Sequence, residues 1–193
     1  NFAWLDRVVD ELIARGMRPW ICLCYGNDLY TESAKQVFGA VGCPPIFTDE
    51  EKTAWANYVR TTVRHFAGRV THYEIWNEPD GKWCWKHGVS AEEYGRFAHD
   101  TAKAIREVSD DAFIIGGSVC MIWDLSYMDT ALSAGMAGSV DAVTFHEYTA
   151  DETALYTHVP ALEALIHLHD PKIRLIQGES GSQSRSDGCG ALA

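Results

Sequence analysis

No glycine-rich turn of the GxGxxG or GxxxxGK kind follows any apolar run in this sequence, which removes the usual nucleotide reading of an alternating strand and helix pattern. No apolar run approaches the ~18 residues of a membrane span, and the first residues lack the basic, apolar and small-residue succession of a secretory signal. No membrane partner is therefore expected. Runs of Lys and Arg are also missing, and a net charge of -11 repels phosphate backbones, so no nucleic-acid partner is expected either. Six cysteines are present (Cys22, Cys24, Cys43, Cys84, Cys120 and Cys189), none at CxxC spacing. A chain of 193 residues does not need disulfide staples, so free thiols are the expectation. Cys22 and Cys24 share a strand face but lie too far apart along it for an easy bridge.

What is present is a globular composition, 47% apolar and 11% aromatic, in a chain long enough for one domain with a real core. Phe2, Leu5, Val8, Val9, Leu12 and Ile13 recur at helical spacing, with Gly16 as a stop before Pro19. The run Trp20 to Tyr25 reads as a parallel strand buried on both faces. A loop of about twenty residues follows, long enough to suggest function. Thr48 and Glu51 form a capping box ahead of a helix whose inner face reads Trp55, Tyr58, Val59, Thr62, Val63 and Phe66.

The unit then repeats. Strand Val70 to Trp76 leads through a Trp-containing loop to a helix opened by a Ser90/Glu93 box. Strand Phe113 to Gly117 leads to a short helix near Leu125 to Ala134. Strand Val140 to Phe145 leads to a helix near Glu152 to Leu168, and strand Ile173 to Gln177 closes the series. This rhythm fits an open doubly wound sheet or a (β/α)8 barrel. The residues at the strand ends favour the barrel: Tyr25-Gly26-Asn27, Asn77-Glu78-Pro79, Ser118, His146-Glu147-Tyr148 and Glu179-Ser180-Gly181 converge on one face with no phosphate-binding turn among them.

Glu78 and Glu179 stand three βα units apart, which on an eight-stranded barrel sets them across the interior from one another. Retaining glycoside hydrolysis asks for such a pair: one carboxylic acid protonates the leaving oxygen, and a second carboxylate attacks the anomeric carbon. Alone, Glu78 could be a helix-start cap and Glu179 a solvated turn residue. His146 and Tyr148 could simply close a strand. Asn27 and Tyr25 are candidates for substrate contact, with turn chemistry at Gly26-Asn27 as the rival. Trp83 and Trp85 could offer aromatic faces to a sugar or anchor their loop. No metal site is expected, because His167 and His169 lie two apart at a helix end and Glu147 has no second His at metalloprotease spacing.

The stretch EIWNEPD, with the later IQGESG and the His-x-Tyr between them, resembles clan A glycoside hydrolases, retaining enzymes built on (β/α)8 TIM barrels. WNEPD, the Trp loop and EEYGRF…AKAIREV look most like glycoside hydrolase family 39 within that clan. The resemblance implies that Glu78, ending the fourth strand, is the acid/base and that Glu179, ending the seventh, is the nucleophile. It implies that Asn77 binds the sugar 2-hydroxyl, that His146 and Tyr148 line the same subsite, and that Tyr148 steadies Glu179. A carbohydrate substrate with β-glycosidic bonds is implied, and no cofactor. Two departures bear on substrate: Gly116-Gly117-Ser118 stands where family members often have Gly-Gly-Pro, and Glu147 adds a carboxylate between His146 and Tyr148.

Counted this way, residues 1–193 form a single partial (β/α)8 domain covering about strands 3 to 7, with strands 1, 2 and 8 absent. Open edges would then expose unpaired backbone, so the expectation is a piece of a longer protein or a chain that completes itself by self-association. The rival functional reading is a carbohydrate-binding remnant without turnover.

Overall fold

The computed structural model describes residues 1–30, 40–148 and 152–181; Cys189 lies outside them. Five strands alternate with five helices, as expected. The elements are α1 (Ala3–Ala14), β1 (Trp20–Leu23), α2 (Asp49–His65), β2 (His72–Ile75), α3 (Ala91–Arg106), β3 (Phe113–Val119), α4 (Leu125–Ala131), β4 (Ala142–Glu147), α5 (Leu155–His169) and β5 (Arg174–Ser180). The strands pair in parallel in chain order, β1-β2-β3-β4-β5, with every crossover carried by a helix. This in-order parallel sheet is that of a (β/α)8 barrel, of which these strands form part.

Local chemistry explains the helix starts. Thr48 accepts the Glu51 N–H at 3.1 Å while the Glu51 carboxylate reaches back to the Thr48 N–H at 3.3 Å, completing the capping box. Ser90 accepts from the Glu93 N–H at 3.3 Å, but the Glu93 carboxylate accepts from the Trp85 indole at 3.4 Å. The side of α3 facing α4 carries Gly95, where a Cβ would collide with the Ala131 carbonyl oxygen, so this glycine lets the two helices touch. The last helix begins later than its periodicity suggested, at Leu155 after a 3-10 turn over Glu152–Ala154.

Burial separates the centre of the sheet from its margins. All but the first residue of β3 is buried, as is all of β4 up to Glu147. By contrast β1 is exposed or half-buried until Leu23, and no residue of β5 is fully buried. The expectation that the Trp20 to Tyr25 run is buried on both faces is therefore corrected: among the described residues β1 has a strand neighbour on one side only. The core lies between β2, β3 and the helices α2 and α3, where Trp55, Trp76, Trp85 and Phe97 meet mostly edge to face or tilted.

Strand ends also differ from the sequence reading, in a direction that matters. β1 and β2 stop earlier, at Leu23 and Ile75, because Trp76 turns away in the left-handed region at φ 65° after its N–H has bonded the Leu23 carbonyl. The other three run further, so Ser118, His146 and Glu179 lie inside β3, β4 and β5 rather than beyond them. Two register shifts permit this, one between Gly117 and Val119 of β3 and one between Phe145 and His146 of β4. Bulges of this kind re-aim side chains without ending the ladder.

Candidate active site

The backbone after β2 is bent hard on both sides of Asn77. Trp76 has φ 65° and Glu78 φ 43°, conformations that cost non-glycine residues about 1–3 kcal/mol each and persist only where their surroundings enforce them. Two anchors do so. The Trp76 indole donates to the Cys84 carbonyl at 2.7 Å, and the Glu78 N–H donates to the Ser118 carbonyl at 2.9 Å. Together they send the tryptophan into the core and the carboxylate toward the interior face of the sheet.

There Glu78 meets His146. The imidazole Nδ1 lies 3.0 Å from Glu78 Oε1 and 3.7 Å from Glu179 Oε2, and Nε2 lies 3.2 Å from the Ser118 hydroxyl. The second Glu78 oxygen accepts a hydrogen bond from the Trp83 indole. On the other side, the Tyr148 hydroxyl donates to Glu179 Oε2 at 2.7 Å. The bulge that pairs His146 with Glu179 skips Gly178, where a Cβ would come within 3.3 Å of Thr144. Ligand-capable atoms of Glu78, His146 and Glu179 all lie within 4.8 Å of one another.

The electrostatics follow from these contacts. The hydrogen bond from His146 holds the Glu78 carboxyl below the usual carboxylate range against a smaller opposing effect of burial, with Trp83 assisting. Burial pulls the His146 imidazole down, yet the Glu78 hydrogen bond and the charges of Glu179, Glu78 and Glu74 together raise it above its ordinary value. The hydrogen bond to Glu179 raises the Tyr148 phenol. Three donors to a cation could be assembled from Glu78, His146 and Glu179. Aromatic N–H and O–H groups already point at both carboxylates, however, and Nδ1 sits at hydrogen-bonding distance from one of them, which suits proton chemistry better than ligation.

The remaining predicted residues divide. Asn77 is half-buried beside this cluster, its amide 3.7 Å from Cys84 Sγ. Trp83 lies about half exposed over Gly81, with one role the sequence did not suggest, the donation to Glu78. Trp85 is a correction: it is fully buried against Trp76, Tyr94 and Phe97, so it offers no face to a sugar and serves as the loop anchor. Tyr25 packs edge-on against Trp76, and Asn27 makes a turn by accepting the Leu29 N–H at 2.9 Å. Both line a neighbouring cleft of about 360 Å³ with Tyr30, Trp55 and Tyr58, and neither Glu78 nor Glu179 lines it.

Sequence reasoning misses the part played by three polar residues. Asp80 is 5% exposed and accepts the Cys120 and Met121 N–H groups at 3.0 and 2.7 Å, tying the loop after β2 to the end of β3. Glu74 is buried in the middle of β2 and accepts the Thr144 hydroxyl at 2.6 Å. Ser118 reads in the sequence only as a polar strand end. The interruption of an apolar strand by Glu74 is the one visible signal, since a buried carboxylate requires partners. The partners lie 28 to 70 residues away along the chain.

Against known proteins, a family model described as glycosyl hydrolases family 39 matches residues 1–168. A β-xylosidase of Geobacillus stearothermophilus is 28% identical over 160 residues, covering 78% of this chain and 31% of that protein. A β-xylosidase of Caldicellulosiruptor saccharolyticus is 28% identical over 162 residues, covering 78% and 32%. Among solved structures, the family 39 enzyme from Xanthomonas axonopodis pv. citri superposes with a TM-score of 0.76 at 21% identity, covering 95% of this chain and 40% of that one. The family 39 β-xylosidase from Caulobacter crescentus gives 0.74 at 23% identity, covering 94% and 41%. The chain thus spans about a third of the length of the curated relatives it matches. With most of its own length matched by the family model, the chain belongs to glycosyl hydrolases family 39.

Proposed function

We propose that the whole protein hydrolyses β-glycosidic bonds with retention of configuration, Glu78 acting as general acid and base and Glu179 as nucleophile. The observation that carries this reading is the separation of the two carboxylates, whose nearest ligand atoms lie within 4.8 Å. Retaining enzymes hold their carboxyl groups about 5–5.5 Å apart, whereas inverting ones leave about 6.5–9.5 Å for a water. In the first step Glu179 attacks the anomeric carbon while the glycosidic C–O bond breaks and Glu78 protonates the departing oxygen. In the second step Glu78 takes a proton from water, whose oxygen displaces Glu179 and releases the sugar.

The environments of the two groups suit unlike roles. The Tyr148 hydroxyl fixes one oxygen of Glu179, and among the described residues no hydrogen bond ties down the other, which is the one to attack. The His146 hydrogen bond favours the ionised form of Glu78, and a sugar that strips water from the pair makes two adjacent negative charges costlier, favouring protonation of one. Asn77, beside Glu78, is the candidate for the 2-hydroxyl, and the exposed face of Trp83 for the sugar ring. The names of the relatives make β-xylosides the first substrates to try.

Carbohydrate binding without turnover is the second reading, motivated by Glu179, whose side chain is 45% exposed. The two are separated by assaying an aryl β-xyloside with Glu179→Ala and azide. Loss of turnover, restored by azide as a glycosyl azide, supports the hydrolase; a variant as active as the parent sinks it.

A further inference from the structure

We propose that Tyr94 and Asp80 are positioning residues for Glu78: where β2 leaves β3, their side chains replace backbone rungs of the ladder and so set where the Glu78 carboxylate enters the site. The role rests on the hydrolase reading, in which Glu78 gives and takes the proton.

The regular part of the ladder defines what is replaced. Phe113 donates its N–H to the Thr71 carbonyl at 2.7 Å, and the register goes on to pair Tyr73 with Ile114 and Glu74 with Ile115. Bonds in a parallel pair are evenly spaced and alternate along each strand, so the rung two steps on would join the Gly117 N–H to the Ile75 carbonyl. The Tyr94 hydroxyl stands in that rung. It accepts from the Gly117 N–H at 2.9 Å and donates to the Ile75 carbonyl at 3.0 Å. Tyr94 comes from α3 and is wholly buried, which gives the inserted hydroxyl a fixed place.

The insertion moves the next rung. An uninterrupted ladder would carry on from the Asn77 N–H to the Gly117 carbonyl. The observed bond runs instead from the Glu78 N–H to the Ser118 carbonyl at 2.9 Å, one residue further along both strands. Trp76, Glu78 and Ser118, with φ of 65°, 43° and 52°, all lie in this displaced stretch.

Asp80 supplies the last rung. Its carboxyl group, 5% exposed, accepts the Cys120 N–H at 3.0 Å and the Met121 N–H at 2.7 Å, in the place where a continuing strand would have offered carbonyls. Pro79, whose ring fixes its own φ, joins Asp80 to Glu78, and the Gly81 N–H closes a turn onto the Glu78 carbonyl at 3.0 Å. Glu78 is thus held from before and after by two buried side chains that act through its backbone. Glu179, on β5, is held by Tyr148 and shares none of these contacts among the described residues. Loosening either rung should therefore fall on proton transfer by Glu78, where a displacement of about 1 Å can cost on the order of 10²-fold.

The test compares aglycones in the full-length protein, with active sites counted by the adduct of a 2-deoxy-2-fluoro β-xyloside. On phenyl β-xyloside, kcat/KM per counted site should fall roughly 10²-fold in Asp80→Asn, which keeps one acceptor oxygen, and roughly 10-fold in Tyr94→Phe. On a dinitrophenyl β-xyloside, whose leaving group needs no proton, it should fall less than about threefold in both. Equal losses on the two aglycones, or none on either, would overturn the proposal. In the parent, hydrogen exchange should show the Cys120 and Met121 amides protected, and Asp80→Asn should expose them. Unprotected amides in the parent would overturn it as well, so a variant that fails to fold does not shelter it. An active Glu179→Ala would sink the hydrolase reading and leave the amide protection unchanged.

Discussion

Glu78 and Glu179 share one imidazole but stand in different surroundings. Glu78 follows a central strand, its side chain is 16% exposed, and both its oxygens are engaged, by His146 and by Trp83. Glu179 lies in β5, which among the described residues pairs on one side only; its side chain is 45% exposed and its Tyr148 partner 58%. The difference shows where rigidity comes from. Strands flanked on both sides hold a charge by enclosing it, whereas a strand with one neighbour holds it by a single exposed hydrogen bond. The same two carboxylates therefore carry unlike energetic weight before any substrate arrives.

The largest expected effects are on turnover of the whole protein. Glu179→Ala should lower kcat on the order of 10⁴-fold or more, as removal of a nucleophile does, measured with an aryl β-xyloside. Glu78→Gln should cost roughly 10²–10⁴-fold on substrates with poor leaving groups, and much less where the leaving phenol needs no proton, so the ratio between two aglycones reads its role.

Stability separates the two halves more directly. A double-mutant cycle on Glu78→Gln and His146→Asn should give a coupling of about 1–3 kcal/mol, and one on Glu179→Gln and Tyr148→Phe less than about 1 kcal/mol, both from urea denaturation of the chain. Equal couplings would erase the comparison. The pH dependence has a definite sign. Glu78 is lowered from 4.5, so its contribution is present above that value and is lost as pH falls through its folded pKa. His146 is raised from 6.5, so its contribution is present below that value and is lost as pH rises through its folded pKa. The pair should therefore support the fold most between about pH 4.5 and 6.5, and a Tm profile of the parent minus that of His146→Asn should peak there.

Trp83 and Trp85 make a smaller version of the same contrast. Trp85→Ala should destabilise the chain by about 3–5 kcal/mol, whereas Trp83→Ala should cost under about 1 kcal/mol and act on Glu78 instead. Their reading also marks the limit of the sequence. Two tryptophans separated by one cysteine look alike in a string of letters; only the fold buries one against Tyr94 and leaves the other beside Glu78.

The βα order was legible because its signals are local. Helical spacing, capping residues and apolar runs each act within a few positions, and the helices and strands they suggested are there. The strand ends were less legible, because bulges at Ser118 and at the Gly178 position depend on neighbouring strands and keep pairing alive past the last apolar residue. The pair Glu78 and Glu179 stood out as carboxylates ending apolar runs. Glu74 did not, since the meaning of a carboxylate inside a strand lies in Thr144, 70 residues on.

The most direct test of the account is covalent trapping. The full-length protein, treated with a 2-deoxy-2-fluoro β-xyloside carrying a good leaving group and then digested, should yield one peptide bearing the sugar as an ester on Glu179. An ester on Glu78, or turnover that gives the inverted sugar with no adduct, would contradict it.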